Sequence, residues 1–228
     1  MQKLSKHKFL PHVVAIVGKS LSGKTRLIQM LIPALQKRGH SVAVIKHCPK
    51  GFTLDTEGKD SWIFMKAGSK RVAMISKDQV VVFQKKTSHM DIADLIQQYF
   101  CEADIVLIEG GRRATGLKKI EVLRKGISES MECPQNELLF VVADLDVETD
   151  RPVYHQDNVE GIANFLGQNL CHRETLVSLN IEGHPVPVNP FVQKILEGAI
   201  LGIISSLKGV KDHPQNISLT IKREKSEK

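Results

Sequence analysis

The chain has 228 residues, 42% hydrophobic and 25% charged, enough apolar material for one α/β domain and a modest further piece. A net charge of +7 favours anionic partners, yet the 32 Lys and Arg are scattered and aromatics make up only 5%, which argues against a stacking platform for nucleic acid. The four cysteines, Cys48, Cys101, Cys133 and Cys171, stand far apart with no C-x-x-C, so neither a zinc cluster nor a disulfide framework is expected and a reducing cytoplasm fits.

The first apolar run, Val13 to Val17, reads as a buried strand and leads directly into Gly18-Lys19-Ser20-Leu21-Ser22-Gly23-Lys24-Thr25. That octet satisfies G-x-x-x-x-G-K-[ST], and the helix-period stretch Arg26 to Ile32 follows it. Strand, glycine loop and helix are the context that gives this motif a mechanism. Backbone N–H groups curl around phosphate oxygens, and the helix N-terminus adds its positive dipole end. Lys24 then reaches the β- and γ-phosphates, and the Thr25 hydroxyl is placed to ligate Mg²⁺. A short apolar run that feeds straight into such a loop is not a signal peptide. Lys19 is either a solvated lysine or one that crosses to a partner's phosphates, as in a class of dimeric nucleotide-binding proteins that carry two glycines where this chain has Ser20-Leu21.

Gly39 stops the helix, and Ser41 to Lys46 reads as a second strand. The polar stretch His47 to Lys59, with Pro49, Gly51 and Gly58, reads as a long loop leaving that strand, with Lys46 and His47 facing the phosphate site. Two acids here, Asp55 and Asp60, are candidates for a catalytic, water-orienting or metal-shell role; the alternative makes Asp60-Ser61 a plain helix cap. A helix is expected over Ser61 to Ala67, a hairpin over Arg71 to Ile75 and Val80 to Phe83, and a helix over Met90 to Tyr99. Ile105 to Ile108 is an unalternated apolar run closed by Glu109 and Gly110-Gly111. Glu109 is the candidate second metal-organising acid, with Gly110 expected to leave its N–H for a γ-phosphate.

Strands come next at Ile120 to Leu123 and Leu138 to Val142, then a helix from Val159 to Leu170 capped by Asn158. No N/T-K-x-D base-reading motif is present, but Ala143-Asp144-Leu145-Asp146 lies where one would fall. Asp144 or Asp146 could accept from guanine N1 and N2, or both are turn residues. The alternation implies an α/β fold with a doubly wound, mostly parallel sheet over residues 1–170. From about residue 171 a small α+β appendage is expected: a hairpin, one apolar-striped helix over 191–207, and a strand at Ile217 to Ile221 before a charged tail. Its most apolar stretch is too short and too interrupted to span a membrane.

The ordered set Gly18 to Thr25, Lys46-His47, Asp55, Gly58-Lys59-Asp60-Ser61, Ala67-Gly68 and Ala103 to Gly110 resembles the molybdopterin-guanine dinucleotide biosynthesis adapter family, MobB, over roughly residues 12–168. The resemblance implies a dimeric GTP-binding protein with weak GTPase activity and Mg²⁺ at the site. It also implies that the protein assists the guanylyltransferase that attaches GMP to molybdopterin. It carries the phosphate-loop role onto Gly18, Lys19, Ser20, Leu21, Ser22, Gly23, Lys24 and Thr25, and the acidic strand-end role onto Glu109. The rival readings are a small-molecule kinase, with 112–119 as a short basic lid, and a non-catalytic nucleotide-dependent binding module.

Overall fold

The computed structural model describes residues 11–53, 55–86, 90–100, 103–170, 177, 179–181, 184–186, 188–209, 217, 219 and 221. The chain divides into two compact units, the first ending at residue 172 and the second beginning at residue 173.

The first unit is built on a six-stranded sheet. Its strands are β1 (His12–Val17), β2 (Val42–Lys46), β5 (Ile105–Glu109), β6 (Lys118–Val122), β7 (Leu138–Val142) and β8 (Val153–Tyr154). They lie in the order β2-β5-β1-β6-β7-β8, and every adjacent pair is parallel. The chain first leaves β1 toward β2 on one side and later adds β6, β7 and β8 on the other. The order therefore turns about β1, which opens a crevice at the carboxyl ends of the central strands. Parallel strands covered on both faces need apolar residues at consecutive positions. Accordingly Val14 to Val17 of β1 and Ile105 to Ile108 of β5 are at most 1% exposed.

Helix α1 (Lys24–Gln36) follows β1, and helix α4 (Val159–Leu170) follows β8. Leu27, Ile28, Leu31, Ala34 and Leu35 fall on one face of α1 and pack with Ile162, Ala163 and Leu166 of α4 against Val14, Leu107 and Phe140. Burial of each larger side chain contributes about 2 kcal/mol. Asn158 caps α4 as expected, its Oδ1 accepting from Gly161 N–H at 3.1 Å. The opposite face is covered by α3 (Ile92–Tyr99), through Ile92, Leu95 and Ile96, and by loop residues including Leu117, Leu123 and Cys133. A reciprocal capping box opens α3: Asp91 accepts from Asp94 N–H at 2.9 Å, and Asp94 accepts from Asp91 N–H at 3.0 Å.

Between β2 and α3 stand α2 (Asp60–Lys66) and a separate antiparallel hairpin of β3 (Arg71–Ile75) and β4 (Val80–Gln84). The hairpin matches its sequence signature, with Ser76 N–H donating to the Gln79 carbonyl across the turn at 2.8 Å.

In the second unit, β9 (Leu179–Ile181) pairs antiparallel with β10 (His184–Val186), followed by helix α5 (Pro190–Ser205). Asn189 Oδ1 caps α5 through Val192 N–H at 2.9 Å, with Pro190 in the first turn. The expected strand from Ile217 to Ile221 and the charged tail beyond it fall mostly outside the described residues. No helix among the described residues is long and apolar enough to cross a membrane.

Candidate functional site: a phosphate loop at the carboxyl edge of the sheet

The eight residues of the motif link the end of β1 to the start of α1, at the edge where the sheet order turns. Gly18 has φ +143°, and a Cβ there would collide with the Val122 carbonyl oxygen of the neighbouring strand β6. Glycine is thus required both by conformation and by the close approach of β6. Gly23, at φ +102°, is the N-cap of α1, so the helix begins at Lys24 with its first amides open to the loop. Leu21 sits at φ +66° and is 80% exposed, a left-handed position that a glycine would hold without strain. Ser22 is fully buried, and its hydroxyl has no partner among the described residues.

Two cations and one acid meet beside this loop. Lys24 Nζ folds back to the Lys19 carbonyl oxygen at 2.5 Å, bridging the loop from within. Thr25 Oγ1 donates to Glu109 Oε1 at 3.0 Å, although 84 residues separate them in the chain. Parallel pairing of β5 with β1, which sets Ile16 opposite Glu109, brings them together. Lys46, at the end of β2 and opposite Glu109 in register, places Nζ 3.8 Å from the same carboxylate oxygen. Burial pushes the Lys24 ammonium below its ordinary pKa; Glu109 opposes that shift and Lys46 adds to it.

A hydroxyl and a carboxylate oxygen at hydrogen-bond distance, both reachable from solvent, form a hard oxygen donor pair suited to Mg²⁺. The unpartnered Ser22 hydroxyl and the close glycine turn at Gly18 suit a phosphate in the loop. These residues fit a Mg²⁺–polyphosphate ligand, with the loop and Lys24 on the phosphates and Thr25 and Glu109 on the metal.

Several expectations need correction. The Gly110 N–H is not open to a γ-phosphate: it donates to the Ile16 carbonyl at 2.9 Å, because the β1–β5 ladder runs one residue past Glu109. Asp60 is not the cap of α2 but its first residue; Lys59 holds the cap position and makes no side-chain cap bond. Asp55 is engaged locally, its Oδ1 accepting from Thr56 N–H at 2.9 Å and from Ser61 Oγ at 2.8 Å. Among the described residues, neither Asp55 nor Asp60 bonds to the phosphate loop or to Glu109.

The basic run 112–119 is not one continuous loop, since Lys118 and Lys119 belong to β6 and only 112–117 form the connection before it. Lys119 is buried with Nζ on Glu137 Oε2 at 2.6 Å and on the Arg112 carbonyl at 2.8 Å. Arg112 and Lys19 both pair with Glu132, the latter at 3.9 Å. Glu132 is held in turn by its backbone N–H, which donates to the buried Glu121 carboxylate at 2.8 Å. Burial raises the Glu121 pKa, against hydrogen bonding from Cys133 N–H and the charges of Arg112 and Lys119.

Strand β8 and the residues just after it were not foreseen from the amino-acid sequence. Gln156 reaches the phosphate loop, since a Cβ on Gly23 would lie 3.3 Å from its Oε1. Arg124, just past β6, extends Nη1 to within 3.5 Å of the Leu21 carbonyl. Their sequence neighbours His155 and Lys125 line an open depression of about 540 Å³ over the ends of β7 and β8. A two-residue strand carries too little periodicity to announce itself.

The comparisons with known proteins agree with this architecture. The family described as molybdopterin guanine dinucleotide synthesis protein B matches residues 13–144. A molybdopterin-guanine dinucleotide biosynthesis adapter protein from Haemophilus influenzae is 31% identical over 161 residues, covering 70% of this chain and 90% of its own length. A putative adapter of the same description from Methanocaldococcus jannaschii is 24% identical over 234 residues, covering 92% of this chain and 97% of its own, so that alignment extends into the second unit. The crystal structure of a molybdopterin-guanine biosynthesis protein B superposes with a TM-score of 0.54 at 29% identity, covering 69% of this chain and 98% of that one. With the family pattern spanning more than half its length and the phosphate loop built at the sheet's turning point, the chain belongs to the MobB family.

Proposed function

We propose that the protein is a cytoplasmic, homodimeric adapter in molybdopterin guanine dinucleotide biosynthesis that binds Mg²⁺·GTP at residues 18–25 and hydrolyses it slowly. The observation that carries this reading is the Thr25–Glu109 pair at 3.0 Å, set beside a phosphate loop whose lysine already faces inward. The adapter role is supported by family membership and by the names of the relatives.

The loop amides and Lys24 hold the β- and γ-phosphates, and Lys24 exchanges the Lys19 carbonyl for phosphate oxygen. Thr25 and Glu109 hold Mg²⁺, which when bound offsets charge that builds on the phosphates. Lys46 neutralises what remains of the Glu109 charge. Asp55 or Asp60 is the acid that orients water. Neither contacts the phosphate loop, and Arg112 is spent on Glu132, so turnover is slow: positioning and charge stabilisation supply nearly all the rate in phosphoryl transfer. Molybdopterin and its guanylyltransferase are the partners. The dimer is supported by the apolar β3–β4 hairpin, on which Met74, Ile75, Val80, Val81 and Val82 are all exposed.

The test is phosphate release from Mg²⁺·GTP together with guanylyltransferase-catalysed formation of the dinucleotide cofactor. Wild type should release phosphate slowly and raise cofactor yield, and Lys24→Ala should do neither. Transfer of the phosphoryl group to an acceptor other than water would establish a kinase instead. Full support of cofactor formation by Lys24→Ala would establish a binding module that works without nucleotide.

A further inference from the structure

Strand β6 buries two charged side chains that the nucleotide site does not use. Lys119 and Glu121, two positions apart and so on one face of the strand, are each 1% exposed. Charge at that depth persists only where it is partnered. Here the partners lie in the connections before and after β6. Lys119 Nζ donates to the Arg112 carbonyl oxygen at 2.8 Å and to Glu137 Oε2 at 2.6 Å. Glu121 accepts from Glu132 N–H at 2.8 Å and from Cys133 N–H at 3.1 Å. One buried charge thus fixes the backbone at Arg112, and the other fixes it at Glu132.

The side chains set out by these two anchors meet each other. Arg112 Nη1 pairs with Glu132 Oε2, and Lys19 Nζ of the phosphate loop stands 3.9 Å from Glu132 Oε1. A single carboxylate therefore lies between the guanidinium and the loop that holds the phosphates. The Arg112 side chain is 47% exposed and that of Glu132 33%, so both keep room to exchange partners over a fixed backbone. Glu132 alone would repel a polyphosphate and Arg112 alone would attract it. Paired, the two add no net charge to the site.

We infer that Arg112 is a latent catalytic arginine and that Glu132 holds it off the phosphates, with Lys119 and Glu121 as positioning residues that set the pair beside the loop. The inference rests on the nucleotide reading of the phosphate loop and names the contact that keeps its turnover slow. In hydrolysis a water oxygen bonds to the γ-phosphorus while the bond to the β–γ bridging oxygen breaks. That oxygen leaves on GDP with the electron pair, and a proton of the water passes to solvent. As charge shifts across these oxygens, a planar guanidinium donates two parallel N–H groups to them, which a lysine cannot match. While Glu132 occupies the fork, the transition state goes without it. An arginine supplied to this chemistry raises the rate by about 10³–10⁵, so even partial release is measurable.

The experiment follows single-turnover GTP hydrolysis by the full chain, at saturating protein and Mg²⁺, for wild type, Glu132→Gln, Glu132→Ala and the double variant Glu132→Gln/Arg112→Gln. Thermal melts confirm that each is folded. Affinity for GDP with aluminium fluoride, a mimic of the phosphoryl group in transfer, is measured alongside affinity for GDP alone. Both Glu132 variants should hydrolyse GTP at least about tenfold faster than wild type and bind the mimic correspondingly more tightly, with GDP affinity within about twofold. Loss of a merely structural ion pair would not speed the reaction. The double variant should lose both gains. Hydrolysis in the Glu132 variants no faster than in wild type, or a gain that survives in the double variant, would overturn the inference and leave the phosphate site standing. If wild type bound no Mg²⁺·GTP, the nucleotide reading itself would fail and take this inference with it.

Discussion

Ser22 hides a hydroxyl inside the phosphate loop, and among the described residues nothing satisfies it. An unmet buried hydroxyl costs about 1 kcal/mol or more in the ligand-free protein, whereas a phosphate oxygen within reach would satisfy it. Ser22→Ala should therefore raise the ligand-free melting temperature and at the same time weaken Mg²⁺·GTP binding. Melts with and without nucleotide would show the two opposite shifts; changes of the same sign would contradict that assignment. A second residue-scale effect concerns acid stability. The Lys119 ammonium, hydrogen-bonded to Glu137, holds that carboxyl below its usual range. A carboxyl lowered in the folded state contributes stability that is fully present above the ordinary carboxylate pKa and is lost as pH falls through the folded value. Urea unfolding from about pH 7 to about pH 3 should show a smaller loss of stability in Glu137→Gln than in wild type. Parallel curves would contradict it.

Among the elements, the strands were the most legible in the amino-acid sequence and the connections the least. Consecutive burial of Val14 to Val17 and of Ile105 to Ile108 leaves an apolar run that needs no context to recognise. The hairpin likewise declares itself through two apolar runs about a polar turn. Glu109 was legible as a strand-end acid, but its pairing with Thr25 depends on β5 lying beside β1, a fact of sheet order. The open Gly110 amide was misread for the same reason, since only the ladder reveals that Ile16 uses it. Asp55, Lys59 and Ser61 show the difficulty of loops, where the Ser61 hydroxyl turns back to Asp55 and the cap position of α2 falls to a lysine. The β3–β4 hairpin also carries a prediction. Ile75 and Val80 face each other in register and are 82% and 63% exposed, next to the exposed Val82. With the hairpin as the interface of the proposed dimer, replacing both with lysine should leave only monomer in sedimentation analysis and keep Mg²⁺·GTP affinity within about twofold of wild type. A dimer that survives the double substitution would place the interface elsewhere.

For the molecule as a whole, function depends on which strand ends share one edge of the sheet. β1 delivers the phosphate loop, β5 the Glu109 carboxylate that Thr25 bonds, β2 a lysine beside that acid, and β6, β7 and β8 the wall beyond. No stretch of sequence contains that arrangement; it arises when the parallel order turns about β1. The Methanocaldococcus jannaschii relative, covering 92% of the chain, aligns into the second unit. The most direct test of the central claim is calorimetric titration of GTP, with and without Mg²⁺, into wild type, Lys24→Ala and Glu109→Gln. The account predicts saturable binding to wild type that Mg²⁺ strengthens, a loss on the order of 100-fold in Lys24→Ala, and binding in Glu109→Gln that no longer responds to Mg²⁺. Lys24→Ala binding GTP as tightly as wild type would contradict it.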